Sequence, residues 1–236
     1  GGVISGGSTA NSIVKTGGGM LILPNNNAYT GSTSVTGGTL VLKGANAYAG
    51  GTTIGSVIGN TTYTGFLAAR NGGALGSGSV TVAQSSVLVY EASADAPLAI
   101  GGNLAITAGG STTIGGAIGT TTTSAKINVA GNATIGTSGG DGVRVNIYGN
   151  SLSGASSGTD TYTLVHAVSG GSLDAANYSL GAVYNNTNFK VGGFTKSATD
   201  LQVDITTATP LTQAYWRGNF GGNNFNNTEL RHVWAV

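Results

Sequence analysis

Gly38-Thr39-Leu40-Val41-Leu42-Lys43-Gly44-Ala45-Asn46-Ala47-Tyr48-Ala49-Gly50-Gly51-Thr52-Thr53-Ile54 decides the fold, because it is the second copy of a pattern. Moved back by 19 residues, it lies over Gly19-Met20-Leu21-Ile22-Leu23, and the match continues as Asn46 over Asn27, Tyr48 over Tyr29, Gly50 over Gly31, Thr52 over Thr33 and Ile54 over Val35. Leu21 and Leu23, like Leu40 and Leu42, alternate with their neighbours, which is the two-residue period of a strand. Gly and Asn interrupt the runs where a turn needs left-handed or self-bonding backbone. Strands this short cannot bury a face alone. Units that each supply short strands and stack in parallel make a β-solenoid. With strands about 4.8 Å apart, about ten coils of roughly 19 to 24 residues would give a rod of about 50 Å.

Outward from the repeat the same rhythm persists in Val80-Thr81-Val82, Val87-Leu88-Val89, Leu98 to Ile106, Lys126 to Val129, Val143 to Ile147 and Tyr162 to Val165. A third, diverged unit is expected at Tyr63-Thr64-Gly65 followed by Phe66-Leu67-Ala68. No long segment has helical periodicity, and a brief helical turn is expected within Ala92 to Ala99. The Asn25-Asn26-Asn27 and Thr120 to Thr123 runs read as turns beside ladders of like residues, since stacking rewards Thr, Asn and aliphatics and penalises charge.

Composition agrees. Only 7% of the 236 residues are charged and 43 are Gly, so Thr, Ser and Asn must solubilise the surface. Hydrophobic residues make up 39% and sit in alternating runs, which separates the chain from a disordered one. Prolines number three and Gly has no three-residue period, which excludes collagen. Nine basic and eight acidic residues leave a net charge of +1, too little and too scattered for a nucleic-acid or anionic-membrane footprint. Without cysteine there is no disulfide framework and no thiolate metal site. No long apolar run and no leader pattern is visible, so no membrane span is expected, and an exported form would be a mature or excised piece.

The stretch from Gly38 to Ile54, with Ala74-Leu75-Gly76-Ser77-Gly78-Ser79-Val80 after it, resembles the passenger-associated transport repeat, also called the autotransporter-associated β-strand repeat. That family's pattern runs Gly-Thr-Leu, Asn-x-Tyr-x-Gly-Gly-Thr-Thr, then Leu-Gly-x-Gly. The resemblance is specific over 17–82 and looser through about 206; it departs at Ser32, where a second Gly is usual, and at Gly59 to Gly65, where residues are inserted. It implies an all-β chain, a right-handed parallel β-helix over 1–209, in a bacterial secreted passenger displayed at the cell surface or outside the cell. It brings no catalytic residues. The tail Ala214 to Phe220 is similar to the Trp-rich segment that opens further modules in such proteins, so 210–236 reads as an end cap, a docking segment or the start of another module.

Three functions are therefore weighed. The first is a structural or adhesive passenger stalk, non-catalytic and without cofactor, with a host, surface or polysaccharide ligand; the aromatic residues Tyr215, Trp216, Phe220, Phe225 and Trp234 would cap the end or bind that partner. The same end invites head-to-tail self-association into a filament. The second is a polysaccharide-processing β-helix enzyme, for which Asp141, Asp160 and Asp174, spaced about one coil apart, would have to stack. His166 and His232 each look solitary, without the neighbours of a ligand or general base. Gly136-Thr137-Ser138-Gly139-Gly140 matches a nucleophile elbow only formally, Gly139 to Gly142 lacks the nine-residue calcium period, and sequons such as Asn60-Thr61-Thr62, Asn132-Ala133-Thr134 and Asn177-Tyr178-Ser179 are composition noise in a bacterial protein. The third is a flat Thr face for ice or a crystalline polymer, for which Thr52-Thr53 and Thr112-Thr113 are too sparse. No catalytic, cofactor or metal residue is assigned.

Overall fold

The computed structural model describes residues 2–6, 10–92, 96–119, 126–137, 142–149, 158–184 and 189–207. Three sheets run along one axis. Sheet 1 stacks Ile13–Lys15, Thr33–Val35, Thr52–Ile54, Val80–Val82, Leu104–Ala108, Asn132–Thr137 and Gly170–Gly171; sheet 2 stacks Met20–Leu23, Thr39–Leu42, Phe66–Ala69, Val87–Tyr90, Thr113–Ile118, Val143–Gly149 and Tyr178–Tyr184. Every pairing in these two sheets is parallel. Sheet 3 begins only in the fourth coil, with Leu98–Ile100, Ile127–Val129 and Thr159–Ala167. The protein is a parallel β-helix.

The offset read from sequence is the register of the strands. Met20 to Leu23 pair with Thr39 to Leu42, and Thr33 to Val35 with Thr52 to Ile54. Leu21, Leu40, Leu67, Leu88, Ile114 and Val145 then form one file along the core. Its interior members are buried, whereas Leu21, on the edge strand, is 37% exposed.

Each repeated polar residue also has a place in a file. Asn46 Oδ1 accepts the Asn27 backbone N–H at 3.0 Å and its side-chain N–H at 2.9 Å, while Asn46 Nδ2 donates to the carbonyl of Ala74 at 2.7 Å. The Tyr29 and Tyr48 rings stack with centroids 4.8 Å apart, and their hydroxyls pair with Thr33 and Thr52. Thr33 and Thr52 face inward and are buried, which explains Thr at the head of these strands. Burial lifts the phenol pKa of both tyrosines well above its ordinary value, so the stack stays neutral. The Leu75-Gly76 step ends the pattern. Gly76 has φ +63°, and a Cβ there would lie 2.1 Å from the Tyr48 carbonyl, so glycine lets the next coil pass beneath the tyrosine.

Four expectations change. The third unit is only half repeated: Phe66–Ala69 takes its place in sheet 2, but Tyr63 is 42% exposed in an antiparallel hairpin. Among the described residues the coils number seven in sheets 1 and 2, fewer than a spacing of 19 to 24 implies, because they lengthen; Ile114 lies opposite Val145, 31 residues on, where Leu21 and Leu40 are 19 apart. Seven strands at about 4.8 Å span roughly 30 Å. Of the turn expected within Ala92 to Ala99, Leu98 and Ala99 are strand and 93–95 lie outside the described residues; the 3-10 turn among the described residues is Leu173–Ala175. Sheet 3 also ends differently from a simple parallel stack: Asp200–Thr207 runs antiparallel to both Thr159–Ala167 and Phe189–Lys196, and lies between them. Residues 210–236, with Tyr215, Trp216, Phe220, Phe225 and Trp234, lie outside the described residues.

Two stability outcomes follow from the files. Leu67→Ala should lower the unfolding free energy by about 2–5 kcal/mol in urea titrations, whereas Thr53→Ala, on the outward side of the same coil, should change it by less than about 0.5 kcal/mol. Asn46→Ala strands the Asn27 donors and the Ala74 carbonyl in the core and should cost about 1–3 kcal/mol per group left unpaired, with Asn46→Gln failing to restore the geometry.

Candidate interaction surfaces

Among the described residues, Glu91, Asp160 and Asp174 do not converge. Glu91 sits just past the end of Val87–Tyr90 and pairs with Arg70 of the preceding coil, Nη2 to Oε2 at 2.9 Å. Asp160 lies in sheet 3 and Asp174 in the 3-10 turn between sheets 1 and 2, so the stacking expected from their spacing does not occur. The spacing misleads because the coil has by then grown well beyond 14 residues. Asp141 falls outside the described residues, as does His232. Among the described residues no three His, Asp or Glu side chains group to hold a metal ion. Gly136 and Thr137 end a strand, and the remainder of the elbow match lies outside the described residues.

His166 is not solitary. Its Nδ1 is 2.8 Å from Asp200 Oδ1, across the antiparallel pair that brings Asp200–Thr207 back onto Thr159–Ala167. Thr199 Oγ1 donates to Asp200 Oδ2 at 2.7 Å, and Ser197 Oγ at 3.3 Å. Partial burial alone would raise the Asp200 pKa; the hydrogen bonds from Thr199 and His166, the His166 charge and the Ser197 hydroxyl outweigh it and hold the carboxyl below its ordinary value. The hydroxyls point at the carboxylate, and Ser197 Oγ also accepts the Asp200 backbone N–H at 3.0 Å, so the cluster fastens the turn that leads into Asp200–Thr207.

The outward face of sheet 2 is apolar in its middle file. Val41, Ala68 and Val89 stand opposite one another and alternate with inward Leu40, Leu67 and Leu88, yet they are buried. Phe66, Val87 and Tyr148 pack over them as a small second core on the outside of the coil. Tyr148 stacks on Tyr184, centroids 4.6 Å apart, and its phenol pKa is raised by burial and by the nearby Glu91 charge. The outward file of sheet 1 reads Val14, Ser34, Thr53, Thr81, Ala105, Thr134. It is a single interrupted file; Thr52, Thr112 and Thr113 are buried instead of lining a face.

A separate surface leaves the corner between sheets 1 and 2 in the third coil. Ser56–Ile58 and Thr61–Tyr63 form a two-stranded antiparallel hairpin. Its turn is Gly59-Asn60, with Gly59 at φ +60°, as the first central residue of a type II′ turn requires. Val57 is 56% and Ile58 67% exposed. The insertion was visible in the sequence as a break in the repeat, whereas its hairpin form was not.

These features define a repetitive β-solenoid whose conspicuous surfaces are sheet faces and a projecting hairpin. Residues 13–42 and 37–56 match the family model described as Passenger-associated-transport-repeat, so this part of the chain carries those repeats. Comparison with curated proteins and with solved structures gave no match. No helix among the described residues is long and apolar enough to cross a membrane.

The His166 to Asp200 fastening has a pH signature. A carboxyl whose folded pKa is depressed contributes stability above its unfolded pKa, about 3.9, and loses it as pH falls through the folded value. Asp200→Asn should therefore cost no more than about 1 kcal/mol near neutral pH, and urea titrations of the two forms should converge as the solution becomes strongly acidic. A difference that persists at low pH would assign the effect to packing.

Proposed function

We propose that the chain is a structural or adhesive segment of a bacterial secreted surface protein, an autotransporter-like passenger stalk that performs no catalysis. The observation that carries this reading is the match of two adjoining passenger-associated-transport-repeats to the stacked, in-register coils at 13–56. A rod of parallel coils presents long, sparsely charged faces, suited to spacing or to broad contact with a host or polysaccharide surface. The separation of Glu91, Asp160 and Asp174 onto different parts of the coil weighs against the polysaccharide-processing alternative, which needs carboxylates converging on one groove. The end-to-end filament alternative draws support from exposed Met20, Leu21 and Ile22 on one edge of sheet 2. It is weakened by the antiparallel strands and the lysines Lys190 and Lys196 at the far side of sheet 3.

The test is protease shaving of intact producing cells, with the native protein followed by an antibody raised against this chain. Loss of the signal without cell lysis is expected; protection until lysis would sink the surface assignment. A parallel assay for new reducing ends on a panel of acidic and neutral polysaccharides is expected to stay at background. Sustained release would replace the non-catalytic reading with the enzymatic one.

A further inference from the structure

We propose that Tyr148 and Tyr184 form an oxidative cross-linking site, at which a haem peroxidase acting with hydrogen peroxide joins the two rings into dityrosine and ties together the last two strands of sheet 2. The two residues are register partners on the parallel strands Val143–Gly149 and Tyr178–Tyr184. Their ring centroids are 4.6 Å apart and their planes within 11° of parallel. Both side chains leave neighbouring strands on the same face, so like atoms of the rings face each other, and the carbons ortho to the two hydroxyls lie roughly one strand spacing, about 4.8 Å, apart. Those are the carbons that couple when two phenols are oxidised. The strand that gains the tie pairs on one side only among the described residues, and its register shifts between Val145 and Ile147.

The other tyrosine stack shows what sets this one apart. Tyr29 and Tyr48 lie at nearly the same separation and tilt, 4.8 Å and 13°, but are 1% and 0% exposed, with their hydroxyls held by Thr33 and Thr52. No oxidant reaches them, and a close-packed core leaves the rings no room to turn edge to edge. Tyr184, in contrast, is 45% exposed. Tyr148 also has a proton acceptor beside it, because a phenol gives up an electron readily only as its proton leaves. The Glu91 carboxylate lies close enough to raise the Tyr148 phenol pKa, and Arg70 fixes that carboxylate by donating to Oε2 from Nε at 3.0 Å and Nη2 at 2.9 Å.

The reaction balances without any further reagent. Each phenol loses one electron and its hydroxyl proton, the two radicals form one carbon–carbon bond, and the proton on each joined carbon moves to the neighbouring oxygen to restore the phenol. The peroxide takes up the two electrons and two protons and becomes two waters. The new bond closes the chain between 148 and 184 into a loop, which removes conformational freedom from the unfolded state.

Treatment of the intact 236-residue chain with horseradish peroxidase and hydrogen peroxide, followed by isolation of the monomer and peptide mass spectrometry, tests this. Cleavage after Lys and Arg and before Asp separates Tyr148, in 145–159, from Tyr184, in 174–190. The expected product is these two peptides joined with the loss of two hydrogens, in more than about tenfold excess over any link made by the exposed Tyr63, because the fold holds the reacting carbons together. Tyr184→Phe keeps the ring and so the fold, which far-ultraviolet circular dichroism checks, and should abolish the product; Tyr63→Phe should leave it unchanged. The linked monomer should unfold at a higher urea concentration than the unlinked one. A parent that yields no 148 to 184 link, a link that survives in Tyr184→Phe, or an equal yield from the chain unfolded in urea overturns the proposal. So does an unchanged urea midpoint, which would leave the bond without a stapling role.

Discussion

In-register parallel stacking is the constraint on which the rest of this structure depends. Each coil must set its strands directly over those of the coil before it, so the backbone hydrogen bonds run along the axis and each strand residue stacks on its register partners above and below, like on like in the core file. A charge placed in an inward file would meet either apolar side chains or another charge. The scarcity of ionisable residues is a consequence of that geometry. Lys15 shows how an exception is accommodated: it occupies the inward position that Val35 and Ile54 fill in the following coils. Its ammonium turns to the carbonyls of Thr16, Gly17 and Gly37 at 2.8–2.9 Å. Backbone dipoles solvate the cation where no acid is available.

Stacking also dictates where the chain can vary. Extra residues inside a strand would break the register, so insertions leave at corners. The hairpin exits between sheets 1 and 2, and the intervals 91–97, 119–126 and 150–158 each fall in chain order between a strand of sheet 2 and a strand of sheet 3. Coil length therefore drifts while the file of Leu40, Leu67, Leu88, Ile114 and Val145 is kept. This is why self-similarity fades from the sequence long before the fold changes.

The division between legible and illegible features has the same origin. Alternation, the Asn-x-Tyr motif and the recurrence of Thr33 as Thr52 were readable because each is a local pattern repeated at constant spacing in the first coils; that these Thr face inward was not. Parallel and antiparallel neighbours leave identical alternation in a strand, so nothing in Asp200–Thr207 distinguished a further coil from a return strand. The pairing of His166 with Asp200 depends on that reversal and was hidden with it. Tyr63 misled for the opposite reason: the residue type fits the repeat, but the insertion had already moved it out of register and into the hairpin. Val41, Ala68 and Val89 look like ordinary outward strand positions until Phe66, Val87 and Tyr148 are seen to cover them.

The return strand gives sheet 3 a direction. A coil winding onward would lay Phe189–Lys196 directly on Thr159–Ala167; instead the chain doubles back and inserts Asp200–Thr207 between them. The outer strand still runs in the direction of the coils, but it carries Lys190 and Lys196, and its pairing is irregular between Val191 and Phe194. A flat, uncharged edge is what a further strand needs, and these features remove it. At the other side of the stack, Met20–Leu23 has neither lysine nor bulge and leaves Met20 and Ile22 exposed. Within the described residues, then, the two sides of the solenoid are chemically unlike: one can accept a parallel coil, and the other discourages it. Association through the ends would therefore be directional.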